Sequence, residues 1–288
     1  MHPLLASGTP TPAPTPAPAS APSLAPVLPA EAGPDLKVQS SSEAGPLSQG
    51  EELQLRSVVI HNTVSHATLR LLGSHDLTLD LTFDQDCIEP LFSGGAWAGT
   101  TVWNASMLLA DWLEQRVGAA SLSRKRAIEL GAGTAMPGVA AWLLGADVLL
   151  TEQAPLHTTI AHNLRLNFPD SARPLPEVLV LDWFLPLNEQ LGSAGGCGFD
   201  YILVSDCVYE PLYGKAWVAM VRVVKELCSL ALLRGVQTMV LCALQRRNGD
   251  GVELFLAHLR DLGFAYTRAF QVTNAENENL ELYEIQKT

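Results

Sequence analysis

The apolar residues of this chain recur with two periods. Leu77-Thr78-Leu79-Asp80-Leu81-Thr82-Phe83 alternates apolar with polar, as does Leu53-Gln54-Leu55-Arg56 before Val58-Val59-Ile60. A period of two puts one face of a strand on a core, so both segments read as strands. Ala105, Leu108, Leu109, Trp112 and Leu113 then fall on one helical face. Beyond them short apolar runs alternate with helical patterns. Ala127–Leu130, Val148–Thr151, Val178–Leu181, Tyr201–Val204 and Thr238–Cys242 read as strands. Helices are predicted near residues 136–145, through Leu156, Ile160 and Leu164, and through Tyr213, Trp217, Met220, Val221 and Val224. Another runs through Val252, Phe255, Leu256 and Leu259, with Gly263 as its cap. Phe264–Gln271 and Leu280–Ile285 close the chain as strands.

Strand–helix alternation implies a parallel sheet with helices on both faces, hence an α/β fold. Strands that are apolar without alternation suit burial on both sides. Two last strands with no helix between them predict a terminal antiparallel β-hairpin, and the two early strands are extra N-terminal elements.

Residues 1–50 break this pattern. They hold 11 of the 19 prolines, no aromatic residue and one lysine, Lys37. Such a segment buries too little apolar area to offset its ordering entropy, and is expected to be a disordered, polyproline-II-like tail. Neither a mitochondrial presequence nor a secretory signal fits it. Residues 51–288 are expected to form one domain.

Composition narrows the partners. The 288 residues are 48% apolar and 17% charged, as in a soluble globular protein, and no apolar run is long enough to span a bilayer. A net charge of −12 repels phosphate backbones, which argues against a general nucleic-acid binder. The five cysteines, Cys87, Cys197, Cys207, Cys228 and Cys242, show no C-x-x-C spacing, and His157 and His162 lie five apart. No metal site is expected, and scattered apolar cysteines indicate a reducing cytoplasmic or nuclear setting.

The sharpest chemical signal is Glu129-Leu130-Gly131-Ala132-Gly133-Thr134-Ala135-Met136-Pro137-Gly138, between a strand and a helix. Open α/β sheets bind ligands at that edge. Met136 stands where a dinucleotide loop needs its third glycine, and no G-K-[ST] follows, so a polyphosphate is disfavoured. Glu152 ends the next strand, placed to accept two ribose hydroxyls. Glu129 is expected to face the same cavity from its own strand. Two carboxylates beside a glycine loop suit a cationic nucleoside with a free amino group, which is S-adenosylmethionine. A generic tight turn with a surface glutamate is the plainer alternative.

With these landmarks in order, most of residues 97–286 resembles the seven-β-strand, non-SET protein lysine methyltransferases of the methyltransferase family 16 type. Thr101-Val102-Trp103-Asn104-Ala105-Ser106 matches the tryptophan-led helix before the first parallel strand. Glu129–Gly138 matches the glycine motif, with Ala135 where the family usually has glycine. Leu181-Asp182-Trp183 matches the acid–tryptophan pair, and Asp206-Cys207-Val208-Tyr209 the D-x-x-Y signature. The resemblance implies a Rossmann-like, seven-stranded methyltransferase sheet. It implies methyl transfer from S-adenosylmethionine to a lysine of a protein substrate, by a chain expected to be monomeric. It assigns the cofactor to Trp103, the Gly131-Ala132-Gly133 loop, Glu152, Trp183 and the backbone near Ser205, and Glu129 and Asp182 are counted with them as cofactor-binding residues. It sets Asp206 and Tyr209 beside the target lysine. Ala135 is expected to narrow the cavity at the methionine end.

Other readings stay open at this point. Trp103 and Trp183 also suit core aromatics, and Asp182 and Asp206 also suit helix or turn caps. Arg246 and Arg247 are placed to meet a substrate backbone, although exposed arginines are ordinary. Histidine or a small molecule as acceptor, and a cofactor-binding scaffold without turnover, are the competing functions.

Overall fold

Side-chain parity divides the strands between two cores. In this computed structural model, residues 53–63, 65–81, 96–192, 198–273 and 279–288 are described, and all belong to one compact unit. The main sheet contains β4 (Arg126–Leu130), β5 (Asp147–Glu152), β6 (Glu177–Val180), β7 (Tyr201–Ser205), β8 (Met239–Arg246), β9 (Phe264–Thr273) and β10 (Asn279–Lys287). Ala127, Leu150, Leu203 and Leu241 point into one core, and Ile128, Leu149, Ile202 and Val240 into the other. Apolar residues at successive positions therefore serve opposite faces, which explains why these strands show no polar alternation.

The first core is closed by α1 (Asn104–Trp112), α3 (Met136–Leu143) and α4 (Ala154–Asn167). Between α1 and α3 lie a π-helical turn, Leu113–Val117, and a short α2, Gly118–Leu122. The second core is closed by α5 (Leu187–Leu191), α7 (Ala216–Leu232) and α8 (Val252–Asp261). A four-residue α6, Glu210–Tyr213, precedes α7.

The strand order is β6-β5-β4-β7-β8-β10-β9. The first five strands are parallel, and β10 pairs antiparallel with both β8 and β9. The closing hairpin is thus present with its second strand inserted next to β8. The chain turns in opposite directions from β4, to β5 on one side and to β7 on the other. That leaves a crevice at the carboxyl ends of these strands, where such sheets bind ligands.

Three particulars differ from expectation. The N-terminal sheet has three strands, β1 (Val58–Asn62), β2 (His66–Leu71) and β3 (His75–Asp80), in the order β1-β2-β3. β2 has buried Ala67, Leu69 and Leu71 alternating with Thr68 and Arg70, a period of two that the sequence reading did not pick out. Second, α1 is buried on all sides from Ala105 to Trp112, where one face was expected. Its Asp111 accepts hydrogen bonds from the Arg56 N–H, the Ser57 N–H and the Ser57 hydroxyl, so a polar residue on the far side anchors the chain entering β1. Third, Gly214 (φ +56°) separates Tyr213 from the long helix expected to contain it.

The free edge of β3 is covered by side-chain amides of α4. Asn163 accepts from the Asp80 N–H and donates to the Asp80 carbonyl, and Asn167 does the same at Thr78. Each carboxamide reproduces one rung of a strand ladder, which leaves that edge no free donors there. The proline-rich tail, Cys87, Cys197 and the end of the alternating run, Thr82-Phe83, lie outside the described residues.

Candidate functional site

A cavity of about 620 Å³ opens at the carboxyl ends of β4, β5 and β7, a size suited to a nucleoside-sized ligand. Trp103, Gly131, Ala132, Gly133, Glu152, Asp182, Trp183, Ser205 and Asp206 all line it. Residues 103 positions apart in sequence thus share one wall because parallel strands bring every strand–helix turn to one edge.

The glycine loop is shaped by close approach. Gly131 (φ +64°) and Gly133 (φ +54°) are both left-handed. A Cβ on Gly131 would lie 2.9 Å from Cys207 Sγ and 3.1 Å from the Trp183 ring, and one on Gly133 would lie 3.2 Å from the Gly99 carbonyl oxygen. Only glycine combines that backbone with that clearance. Ala135, where glycine is usual in the resembling family, also takes φ +61°. Its methyl does not reach the cavity wall, so the substitution strains the backbone rather than narrowing the site.

Glu152 ties the loop down. Its Oε2 accepts the Gly133 N–H at 2.8 Å and its Oε1 accepts the Gln153 N–H at 2.7 Å. Burial pushes its carboxyl above the ordinary range, while those two N–H groups pull the other way. Each oxygen keeps a second lone pair, so the carboxylate can still accept from a ligand diol at the cavity mouth.

Glu129 does not face this cavity. It is fully buried beneath the loop, and its Oε2 accepts the Gly138 N–H at 2.9 Å in the first turn of α3. Its neighbours on β4, Ile128 and Leu130, point to the opposite core, so Glu129 points under α3. Burial pushes its carboxyl well above the usual range, reinforced by the charge of Glu152 and opposed by the Gly138 N–H. Its Oε1 has no partner among the described residues. A Glu129 that braces the start of α3 accounts for this geometry better than direct ligand contact.

Asp182 is exposed at the rim. Its Oδ1 accepts the Phe184 N–H, and its backbone exchanges hydrogen bonds with the Gln190 carboxamide. Arg222 of α7 donates to the Trp183 and Leu185 carbonyls, which fixes the aromatic rim. Trp103 donates its indole N–H to the Ala98 carbonyl at 2.8 Å.

Asp206 lines the cavity in a left-handed conformation (φ +52°). Its N–H donates to the Ala243 carbonyl, and its Oδ1 accepts the Gln245 N–H at 3.1 Å. Arg247 meets both oxygens, Nη2 to Oδ2 at 2.8 Å and Nη1 to Oδ1 at 3.1 Å. Tyr209 does not line the cavity; its ring lies 5.0 Å from the Arg247 guanidinium. Arg246 is engaged by Asp250, Glu253 and Glu281. Both arginines are therefore tied to acids of this chain, not held free for a substrate backbone.

Sequence reasoning missed several lining residues, among them Gly99, Ser106, Gln190, Cys207 and Tyr213. Gly214 was the available signal for Tyr213, since it ends the helix beside it. Burial pushes the Cys207 thiol and the Tyr213 phenol above their ordinary values, with nearby carboxylates adding to the effect.

The residues present fit S-adenosylmethionine. A buried acid with spare lone pairs suits the ribose diol, and Trp183, Phe184 and Val180 offer an apolar rim for a base. The glycine loop gives backbone contact where any side chain would fill the cradle.

A family model described as lysine methyltransferase matches residues 82–261. Protein-lysine methyltransferase METTL21E of Bos taurus is 35% identical over 129 residues, 44% of this chain and 44% of the relative. Protein N-lysine methyltransferase METTL21A of Danio rerio is 38% identical over 108 residues, 38% of this chain and 47% of the relative. Secreted RxLR effector protein 48 of Plasmopara viticola is 33% identical over 165 residues, 54% of this chain and 82% of the relative. The chain spans about half the length of the two METTL21 relatives.

Proposed function

The chain belongs to the lysine methyltransferase family, and we propose that it transfers a methyl group from S-adenosylmethionine to a lysine side chain of a protein substrate. The observation that carries this reading is one cavity lined by both Glu152, which binds the glycine loop, and Asp206. When bound, S-adenosylmethionine supplies a methyl group on a sulfonium, open to in-line attack by an amine. Glu152 accepts the ribose hydroxyls, the Gly131-Ala132-Gly133 backbone lies along the ligand, and Trp103, Asp182, Trp183 and Ser205 complete its walls. Glu129 acts indirectly, by holding the start of α3 under the loop.

Methyl transfer moves positive charge from sulfur to nitrogen and creates none, so no strong acid is needed. The protein's tasks are alignment and delivery of a neutral amine. Alignment supplies up to about 7–11 kcal/mol of the barrier. Asp206 accepts an N–H of the incoming amine and holds its lone pair along the sulfur–carbon axis. Tyr209 acts at one remove, through the guanidinium that its ring supports.

The described residues include no helix long and apolar enough to cross a membrane. The free thiols Cys207, Cys228 and Cys242 suit a reducing compartment, the cytoplasm or nucleus. The negative net charge favours a basic protein partner over a nucleic acid, and we take the acting species to be a monomer.

Incubation with radiolabelled S-adenosylmethionine and a cell lysate tests the reading. A labelled protein band that vanishes when lysines are chemically blocked beforehand is expected. Label that survives the blocking, or none at all, refutes it.

A further inference from the structure

Three groups that attract cations converge on one guanidinium. Arg247 makes a two-pronged pair with Asp206 at 2.8 and 3.1 Å. Its guanidinium carbon lies 5.0 Å from the Tyr209 ring centroid and 5.5 Å from that of Trp103. Gln245 Oε1 accepts from it at 2.6 Å. The carboxylate and the Trp103 ring that line the cavity, and the Tyr209 ring outside its lining, are thus already engaged by a positive charge from the same chain.

We infer that Arg247 is a positioning residue that sets the charge of the acceptor end of the cavity: it cancels the charge of Asp206, so that the site admits the neutral amine and excludes the ammonium ion. This rests on the lysine-transfer reading above and adds the protonation state of the acceptor that the site selects.

The chemistry makes that selection useful. A free lysine amine has a pKa near ~10.4, so less than ~0.1% is neutral at pH 7. A lone carboxylate in the cavity would bind the abundant ammonium, which has no lone pair to attack with. A carboxylate already matched by a guanidinium still accepts an N–H through a spare lone pair, but offers no net charge to hold the proton on.

The surrounding groups leave Arg247 in that role. The side chains whose fields couple to Asp206 are Cys207 on the same loop, Tyr213 on α6 and Cys242 on β8. Burial pushes all three upward, Cys242 to about 12, so they remain uncharged at neutral pH. The carboxylate of Asp250, which accepts the Arg247 backbone N–H, is matched by Arg246. Glu152, whose charge also reaches Cys207 and Tyr213, is bound to the Gly133 and Gln153 N–H groups. Asp206 itself is held by Ala243 and Gln245 independently of Arg247, so its backbone stays in place when the guanidinium is removed.

The test uses n-butylamine as a mimic of the lysine side chain, titrated calorimetrically into the full chain saturated with S-adenosylhomocysteine, from pH 7 to pH 10. For the native protein, affinity for total amine should climb about tenfold per pH unit, following the neutral fraction. Arg247→Gln should bind at pH 7 at least ~10-fold more tightly than the native protein and lose the pH dependence. Arg247→Lys keeps the charge and should restore the native slope. Melting temperature and S-adenosylhomocysteine affinity report folding, and Arg247→Met replaces the Gln variant if that one unfolds. Equal affinity and slope in native and Gln proteins, weaker binding by the Gln variant, or no butylamine binding by either overturns the inference. A native protein that binds butylamine as described but labels no lysate protein on lysine defeats the transfer reading instead.

Discussion

Glu152 accepts the backbone N–H of Gly133 at 2.8 Å, across 19 positions of sequence. This bond joins the end of β5 to the turn after β4, two adjacent parallel strands. The same carboxylate that is placed for a ligand's hydroxyls therefore also holds the loop that would carry the rest of the ligand. Loop shape and ligand recognition are coupled through one side chain.

Glu152→Ala should weaken S-adenosylhomocysteine binding by about 10- to 100-fold, the effect of losing charge-assisted hydrogen bonds worth roughly 1.5–3 kcal/mol. Melting temperature should also fall, because the Gly133 and Gln153 N–H groups lose their acceptor. Calorimetry that finds unchanged affinity removes Glu152 from the site.

Gly133→Ala tests the close approach. Left-handed backbone costs a non-glycine residue about 1–2 kcal/mol, and here the new methyl would also stand 3.2 Å from the Gly99 carbonyl oxygen. Gly235→Ala is the control, since Gly235 has φ +73° with nothing within 4 Å of its Cβ position. Chemical denaturation should show a larger loss for Gly133→Ala, by roughly 1–3 kcal/mol, and weaker cofactor binding for that variant alone. Equal losses would show that crowding against Gly99 contributes nothing.

Asp206→Asn is the cleanest catalytic variant, because asparagine tolerates the left-handed conformation at this position better than alanine does. It leaves the Arg247 charge unmatched beside the nascent ammonium. Turnover should fall about 100-fold or more, on the order of 3 kcal/mol in barrier, with S-adenosylhomocysteine affinity within a few fold. A variant with native turnover would reduce Asp206 to a structural cap.

Stability of the cofactor-free protein should increase as pH falls from about 6 to about 4. Burial raises the Asp111 carboxyl to about 6, against the hydrogen bonds from Ser57 and Arg56. Burial also raises Glu129 and Glu152. An acid whose folded-state pKa exceeds its unfolded value binds more protons when folded, so stability is lost as pH rises through that window. For Asp111 the window runs from its ordinary 3.8 to about 6, worth on the order of 3 kcal/mol. Asp200 and Asp250 are lowered, so their contribution is lost only below their ordinary values. Thermal melts across this range should show the slope, and Asp111→Asn should flatten part of it. A flat native profile contradicts the assignment.

Much of this protein was readable from the chain because periodicity and strand–helix order are local properties. Ala127–Leu130, Val148–Thr151 and Tyr201–Val204 announce buried parallel strands by composition alone, and that order sends every following loop to one edge. Gly131, Gly133, Glu152 and Asp206 could therefore be placed at a common site before any coordinates. What needed the tertiary structure was the direction and company of individual side chains. Glu129 adjoins the glycine loop in sequence, yet strand parity turns it beneath α3. Tyr213 shares a helical spacing with Trp217, yet a left-handed Gly214 detaches it and brings it to the cavity. Arg247 carries no motif, and only the adjacency of β7 and β8 lays it against Asp206, 41 residues away. Contacts between strands depend on sheet order and register, which are set by the packing of the whole domain and are not encoded in any local period.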